Sequence, residues 1–464
     1  MGSVPPLSRL PSGHYDVAFE VEREWDLNPG TTARLLASMR AGRLVIFCGA
    51  GLSMAPPSNL PPAWRVAEAS FDKYQLESDP TCSLSLRHDL EAFAQHFADQ
   101  NTLVSVFIES LVPWDMFVRP SNLGHAAVAD FLITRAAIAA LSGNYDVLIE
   151  RYAVDKGFDF QASLDGDQAT VRTHTQSPLL KFHGCTQMAR SDTVWTTSQL
   201  SKPPISDRIA KTKVWMQANL RQKDLLVVGF WSDWAYLNAI LETIMGALAP
   251  LSVTVIDKAD AAELERKAPD LWLLAHKPTV TFEHVQESGA DALDELRRAF
   301  SKSYLRLVLN AGKSAFETTR RKCEPAWLEA PDFNSEVLYG LRRDAEGVPS
   351  DKPATRSQPQ QCETLGFFHL RLREAGATLI PEGYSLSGRS IRVVNGAGRL
   401  LNQMRDQFIE PPVLNATDIV VAPGALALPL PSSVVRPGVA GSFMRPAAMG
   451  TWLDLEGACR ELGI

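Results

Sequence analysis

Five short apolar runs between about Thr31 and Ile256 constrain the fold more than any other feature of this sequence. Each run ends in a small or polar residue, and stretches with helical periodicity separate the runs. Strands that are buried on both faces have this near-continuous apolar character, and their alternation with helices is typical of parallel sheets. The runs are RLVIFC, AAIAALS, PLLKFHG, DLLVVGF and LSVTVID.

The sequence therefore predicts an α/β fold, a Rossmann-like parallel sheet with helices on both faces. Thr31 and Thr32 are expected to cap a helix, TARLLASMR, that precedes the first strand. LEAFAQHFADQNTLVSVFIESLV carries apolar residues at spacings of three and four, which predicts one long helix. NLGHAAVADFLI is expected to form a helix that leads into the second strand.

The chain has 464 residues, more than one hydrophobic core usually organises, so two domains are expected. We place an α/β domain at residues 1–300 and a smaller mixed α+β domain at residues 301–464. The segment AEGVPSDKPATRSQPQQ, residues 345–361, is rich in Pro, Ser and Gln and is expected to be a loop or linker. Short strands, one helix and many turns are expected after it.

Composition excludes several classes of protein. The formal net charge of −7 argues against direct binding to nucleic acid. The six cysteines include no C-x-x-C pair, so no zinc ribbon is expected, and a cytoplasmic protein without disulfides is favoured. His88 and His96 have no partnering Cys or carboxylate cluster, so no other metal site is expected. The first residues lack the basic and apolar segments of a signal peptide, and charged residues interrupt every apolar region, so no membrane span is expected.

The first strand runs directly into Gly49-Ala50-Gly51-Leu52-Ser53, a turn of small residues. Glycines allow backbone N–H groups to approach a pyrophosphate closely, and Ser53 adds a hydroxyl group. The alternative is a turn that is glycine-rich for steric reasons alone.

Three other strands end in residues suited to a ligand, and ligands of open α/β sheets bind at the carboxyl edge. Each has a plainer interpretation: a turn that caps a helix for Asn144 and Asp146, a packed core histidine for His183, and a helix cap for the residues after Gly229. A fifth strand ends in Asp257, which suits ribose hydroxyls or another helix cap. The candidates are Asn144 and Asp146, then His183, then Gly229 with Ser232 and Asp233, and Asp257.

Together these segments resemble the sirtuin-like family, in particular its prokaryotic branch of NAD-consuming domains. The resemblance covers about Thr31 to Asp257. The matching segments are GAGLS (49–53), LPPAW (60–64), NYDVLIE (144–150), HG (183–184) and VGFWSD (228–233), in the family's order. The paired C-x-x-C motifs of deacetylating sirtuins and their Asp-Phe-Arg segment are missing. The resemblance therefore implies NAD cleavage rather than deacetylation.

For such a reaction we expect Asn144 and His183 to be the catalytic residues, with His183 as general base because its reference pKa lies near ~6.5. Gly49, Ala50, Gly51 and Ser53 are expected to hold the pyrophosphate. Asp146 would orient the Asn144 loop or the nicotinamide pocket. Gly229, Ser232, Asp233 and Asp257 would hold the other half of NAD.

The resemblance also implies a role in bacterial anti-phage defence, as a regulated NAD+ hydrolase that depletes NAD. Family members of this kind act beside a partner such as a short Argonaute or a helicase-like ATPase, so a homo-oligomer and a protein partner encoded nearby are expected. The alternatives are a non-catalytic scaffold that binds NAD or ADP-ribose, and an NAD-dependent deacylase or ADP-ribosyltransferase. For His125 a buried hydrogen-bonding role is favoured, and NGAGR (395–399) is interpreted as a plain turn rather than a phosphate site.

Overall fold

The structure, a computed structural model, describes residues 28–229, 249–349, 352, 358–359, 362–408, 417–426 and 450–464. Ser232 and Asp233 lie outside these residues, as does the helix expected to begin with them. Most of the segment expected to link the two halves of the chain also lies outside.

Six parallel strands form the first sheet, in the spatial order β3-β2-β1-β4-β5-β6. This is the strand order of a doubly wound Rossmann sheet, so the α/β prediction is confirmed. The order reverses between β1 and β4, and ligands of such sheets bind outside the carboxyl ends of the strands at this switch point. The strands are β1 (Leu44–Cys48), β2 (Ala139–Ser142), β3 (Leu179–Leu180), β4 (Asp224–Val228), β5 (Ser252–Asp257) and β6 (Thr281–Gln286).

Helices cover both faces of this sheet. In β1, Leu44, Ile46 and Cys48 belong to a core cluster on one face, while Val45 and Phe47 belong to the cluster on the other. This alternation is the two-residue period of a strand. The helices of the first part are α1 (Pro29–Arg40), α2 (Ala50–Met54), α3 (Ala63–Glu77), α4 (Leu90–Asp99), α5 (Leu123–Ile133), α6 (Leu148–Asp155), α7 (Gly166–Arg172), α8 (Ile205–Asn219), α9 (Ala261–Lys267) and α10 (Pro269–Ala275).

Two predicted helices differ from the observed ones. α1 begins at Pro29 with the Asn28 side chain as its cap, so the cap expected at Thr31 and Thr32 was wrong. The long helix expected from Leu90 is broken, because Asn101 has a left-handed φ of 59°. After this residue the chain continues as a π-helix over Leu103–Leu111. Apolar periodicity persists through such a break, which is why it predicted one helix.

A 30-residue helix, α11 (Gly289–Thr318), connects the two parts of the chain. The predicted domain boundary at residue 300 lies within it, and the division of the chain into 1–300 and 301–464 stays a prediction. Beyond α11 a second, smaller sheet has the order β11-β10-β9-β8-β7, in which only the pairs β7–β8 and β8–β9 are antiparallel. This mixed sheet confirms the expected α+β character. Its elements, with the helices beside it, are α12 (Ser335–Glu346), α13 (Glu363–Glu374), β7 (Thr378–Ile380), β8 (Gly383–Leu386), β9 (Arg389–Val393), α14 (Leu401–Gln407), β10 (Ile419–Val421), β11 (Thr451–Leu453) and α15 (Leu455–Leu462).

A buried cluster of charges ties the two parts together. Asp130 of α5 accepts hydrogen bonds from Arg297 of α11, at 3.1 Å, and from Arg342 of α12, and the side chains of all three are fully buried. Because removal of one partner would leave an uncompensated buried charge, these contacts between the three helices are costly to break. No helix among the described residues is long and apolar enough to span a membrane.

Candidate functional site

The candidate site lies where the sheet order reverses. Gly49 follows β1, and Gly229 follows β4 with a left-handed φ of 56°. A Cβ atom on Gly51 would stand 2.8 Å from Gly229 Cα, and one on Gly229 would stand 2.6 Å from the nitrogen of Leu52. Since these contacts are with backbone atoms, which cannot turn aside, both positions require glycine. The two glycines let the loops after β1 and β4 meet.

Two of the residues expected to face a pyrophosphate have their amide hydrogens engaged, and the Gly49 N–H donates to Val228 O at 3.0 Å. The Gly51 N–H donates to Gly229 O at 2.9 Å, and the Leu52 N–H donates to Gly49 O at 3.1 Å. Ala50 and Gly51 are exposed, while Leu52 and Ser53 are buried. The turn therefore presents small exposed residues after β1, and the close approach of the loop after β4 explains its second glycine.

Ser53 is the centre of a buried hydrogen-bond network and is 1% exposed. Its hydroxyl donates to Asp146 Oδ2 at 2.9 Å and lies 3.0 Å from His125 Nε2 and 3.1 Å from Asn144 Nδ2. A hydroxyl has one hydrogen and two lone pairs, so these three partners saturate it. In this arrangement Ser53 has no hydrogen left for a phosphate oxygen.

His125 completes the network in its neutral form. The backbone N–H of Asn122 donates to its Nδ1 in a capping box at the start of α5, so the ring hydrogen is on Nε2 and donates to Ser53. Burial lowers the pKa of His125 to about 4, which keeps the ring neutral. The expected buried hydrogen-bonding role of His125 is confirmed.

Asn144 lies in the loop after β2 and belongs to the same hydrogen-bond network. Its side-chain nitrogen donates to Gly49 O at 3.0 Å and to Ser53 Oγ at 3.1 Å. Both contacts are with oxygen atoms, which fixes the orientation of the amide group. Both amide hydrogens are thus engaged, and the oxygen Oδ1 is the group that half-buried Asn144 offers to a ligand.

A buried ion pair, which the sequence analysis did not predict, also contacts this loop. The Lys181 ammonium group is 2.7 Å from Glu150 Oε1 and also donates to the backbone carbonyl of Asp146. Lys181 is 1% exposed, and the carboxylate of Glu150 raises its pKa to about 12 despite burial. The signal was present in PLLKFHG, because a lysine in a buried strand needs a carboxylate partner.

The His183 side chain packs against the same loop, and the residue is 1% exposed. Its Nδ1 is 2.8 Å from Gly143 O, and its backbone carbonyl accepts from the Val194 N–H at 3.0 Å. A carbonyl only accepts, so Nδ1 carries a hydrogen. Burial lowers the pKa of His183 to about 3, with the Arg208 guanidinium acting in the same direction and the Gly143 carbonyl opposing it.

Tyr145, between Asn144 and Asp146, is a second residue that sequence reasoning missed. Its ring stacks on His183, with centroids 4.5 Å apart at 22°, and on Trp195, with centroids 4.5 Å apart at 20°. Its hydroxyl is 3.1 Å from His183 Nε2 and donates to Val194 O at 2.5 Å. The loop from Gly143 to Asp146 thus contacts the glycine turn through Asn144 and the imidazole through Tyr145.

Asp257 lies apart from this cluster, at the end of β5. Its Oδ1 accepts from the Ala259 N–H at 2.8 Å, while Asp260 caps α9. The Gly229 N–H donates to Ile256 O at 2.9 Å, so Asp257 is on the β4 side of the crevice. It occupies the side that the second half of a dinucleotide takes in a Rossmann sheet.

Outside the crevice, a groove of about 600 Å³ runs between the loop after α2 and α3. Met54, Leu60, Pro62, Arg65 and Met116 are among the residues that line it. Among the described residues, no group of three or more His, Cys, Asp and Glu side chains is arranged to hold a metal ion.

No protein-family model and no curated protein matches the chain. Among solved structures it is similar to a mutant of Sir2 homologues in complex with 2′-O-acetyl ADP-ribose, at 14% identity and a TM-score of 0.31 over 59% of this chain and 96% of that one. It is also similar to a structure described as the structural basis for the mechanism and regulation of Sir2 enzymes, at 13% identity and a TM-score of 0.33 over 59% and 97%. At these identities and TM-scores the similarity assigns neither a family nor a function to this chain, and the fold is assigned from its strand order.

Proposed function

We propose that this chain is a regulated NAD+ hydrolase that cleaves NAD+ to nicotinamide and ADP-ribose. The observation that carries the proposal is the loop after β2, which brings Asn144 to the glycine turn and lies over His183 at the switch point. A chain that only bound a dinucleotide would need the crevice but not this amide and imidazole pair. The resemblance of the five quoted segments to NAD-consuming domains supports the same reaction.

The reaction breaks the bond between nicotinamide nitrogen and the anomeric carbon of the ribose. Nicotinamide leaves neutral with the bonding electron pair, a water oxygen bonds to the anomeric carbon, and one proton is released. The transition state resembles an oxocarbenium ion, as in other glycosyl cleavages. The protein therefore has to hold the ribose, place the water and accept its proton.

Asn144 is suited to the placing of a hydroxyl or water. Because both its amide hydrogens are engaged by Gly49 O and Ser53 Oγ, it presents Oδ1 as an acceptor for an O–H donor. We assign it to the nicotinamide ribose or the attacking water. His183, held neutral by burial, is assigned as the group that accepts the proton. Gly49, Ala50 and Gly51 are assigned to the pyrophosphate, and Gly229, Ser232, Asp233 and Asp257 to the other half of NAD.

Regulation is part of the proposal, since free hydrolysis of NAD would harm the cell that makes the enzyme. His183 is enclosed, with Gly143 and Tyr145 at its two nitrogens, as expected of a site at rest. We assign the part beyond α11 to assembly of a homo-oligomer or to binding of a partner encoded nearby. The biological role proposed is NAD depletion in anti-phage defence, in the cytoplasm.

The same enclosure favours a second candidate, a scaffold that binds NAD or ADP-ribose without cleaving it. His183 is 1% exposed in this conformation, as a histidine that packs rather than reacts would be. The two candidates differ in one result, which is whether nicotinamide is ever released.

The test is incubation of the full chain with NAD+, alone and in lysate of phage-infected cells, with nicotinamide and ADP-ribose quantified by chromatography. Loss of a positioned base or its partner typically costs roughly 10²–10⁴-fold. His183→Ala and Asn144→Ala should therefore lose most of the turnover. The control is His276→Ala, at an exposed histidine that directly follows α10, and it should retain full turnover. NAD binding without nicotinamide release in any condition would favour the scaffold.

A further inference from the structure

A small cavity lies in the second part of the chain, between α11, α12, α13 and the second sheet, and its volume is about 30 Å³. Pockets for cofactors and other organic ligands are roughly 300–1,000 Å³, whereas a water molecule takes up about 30 Å³ in the liquid. The cavity therefore has room for one small ion or one water molecule. Much of its lining is apolar, from Leu305, Val308, Leu309, Leu341, Leu379 and Val393.

Polar side chains also line this cavity, and three of them are in contact with one another. His369 and Arg373 lie one turn apart on α13, and Tyr384 lies on β8. The Tyr384 hydroxyl is 2.9 Å from His369 Nδ1 and 3.4 Å from Arg373 Nε, and Tyr384 is 1% exposed. Since polar groups are costly to remove from water, this cluster in an apolar lining favours a polar occupant.

The other charged group of the lining, the carboxylate of Asp344, has its own cation. Its two oxygens accept hydrogen bonds from Arg392, at 2.5 and 2.7 Å, so this pair is neutral. Burial and the Arg373 guanidinium group lower the pKa of His369 to about 3, so the imidazole is neutral as well. The positive charge of Arg373 is therefore not balanced by these neighbours.

Arg373 is held in place by backbone carbonyls rather than by a carboxylate. Its Nη1 donates to Trp327 O at 2.6 Å and to Glu329 O at 3.0 Å, while the carboxylate of the adjacent Glu374 pairs with Arg371. Within the part of the chain that the structure describes, no carboxylate oxygen lies within 4 Å of the Arg373 guanidinium group. A half-buried cation without an anionic partner, beside a cavity the size of one ion, favours an anion as the occupant.

We propose that this cavity binds one small monovalent anion, such as chloride, through the guanidinium group of Arg373 beside Tyr384 and His369. The anion supplies the negative charge that Arg373 lacks and connects α13 with β8. Because it binds the folded protein and not the unfolded chain, it should stabilise the second part. The inference concerns this part alone and does not depend on the proposed hydrolase.

The first test is a crystal structure of the full chain in sodium bromide, since bromide has the charge of chloride and is located by its anomalous scattering. A bromide ion is expected in the cavity, within contact of Arg373. A cavity that holds water or is empty at high bromide concentration would overturn the inference.

The second test compares the melting temperature in sodium chloride and in sodium gluconate at equal ionic strength, because gluconate is too large for the cavity. The melting temperature should rise by about 3 °C for each tenfold increase in chloride above its dissociation constant. Arg373→Met should abolish this rise. The matched control is Arg371→Met on the same helix, which does not line the cavity and should keep the rise.

Three results would contradict the proposal. One is a wild-type melting temperature that is equal in the two salts, and another is a rise that is the same in Arg373→Met. The third is bromide in the crystal without any dependence of melting on chloride, which would mean an adventitious ion only. If Arg373→Met does not fold, Tyr384→Phe replaces it and should show a smaller rise than the wild type.

Discussion

Replacement of Ser53 by alanine separates two roles for this residue, as a buried network centre and as a pyrophosphate ligand. The substitution removes the acceptor of His125 and Asn144 and the donor of Asp146, three contacts of 2.9–3.1 Å around a 1% exposed side chain. Each buried hydrogen bond contributes roughly 0.5–1.5 kcal/mol, more where one partner is charged. The free energy of unfolding should therefore fall by about 2–4 kcal/mol.

Equilibrium urea unfolding followed by tryptophan fluorescence measures this loss. Ser58→Ala is the matched control, because Ser58 is equally buried but donates one hydrogen bond, to Pro120 O at 2.7 Å. It should cost about 1 kcal/mol. A loss for Ser53→Ala no larger than for Ser58→Ala, combined with a raised KM for NAD, would refute the network argument and favour the pyrophosphate role.

Three further changes test other parts of the structure. Lys181→Met should lower the free energy of unfolding by about 3–5 kcal/mol, because it leaves Glu150 buried without its cation, and Glu150→Gln added to it should restore part of the loss in urea unfolding. Gly229→Ala should lower the melting temperature far more than Gly42→Ala. Both glycines have a left-handed φ, but only at Gly229 would the added Cβ atom lie within 3 Å of backbone atoms. Equal shifts of the melting temperature in calorimetry would contradict the packing argument. Burial lowers the pKa of His125 to about 4, so the unfolded chain binds this proton more readily than the folded chain does. The contribution to the free energy of unfolding, about 3 kcal/mol above pH 6.5, should therefore be lost as the pH falls towards 4. His125→Gln should make stability less dependent on pH in this range, and an unchanged dependence would contradict the assignment.

Much of the first sheet was predictable because its strands are buried on both faces. The apolar runs predicted β1, β2, β3, β4 and β5 and placed Gly49, Asn144 and Gly229 at strand ends, because strands buried on both faces are almost continuously apolar in sequence. The break at Asn101 was not predictable from periodicity, since one left-handed residue does not disturb the apolar spacing.

The contacts between segments were harder to predict than the segments. Ser53 has the same sequence signal whether it binds phosphate or saturates a network, and only its three partners distinguish the two roles. The role of Tyr145 was not predictable, because its stacking on His183 depends on a residue 38 positions away. Lys181 did carry a signal, as a cation in an apolar strand, but its partner Glu150 does not follow from sequence spacing.

The most direct test of the proposed site is a crystal structure of the His183→Ala variant with intact NAD+. We predict that the nicotinamide ribose lies within hydrogen-bonding distance of Asn144 Oδ1, with the pyrophosphate at the turn of Gly49 and Gly51 beside Gly229. NAD+ bound instead in the groove beside Arg65, or against the second sheet, would contradict the assignment of this crevice as the site of NAD cleavage.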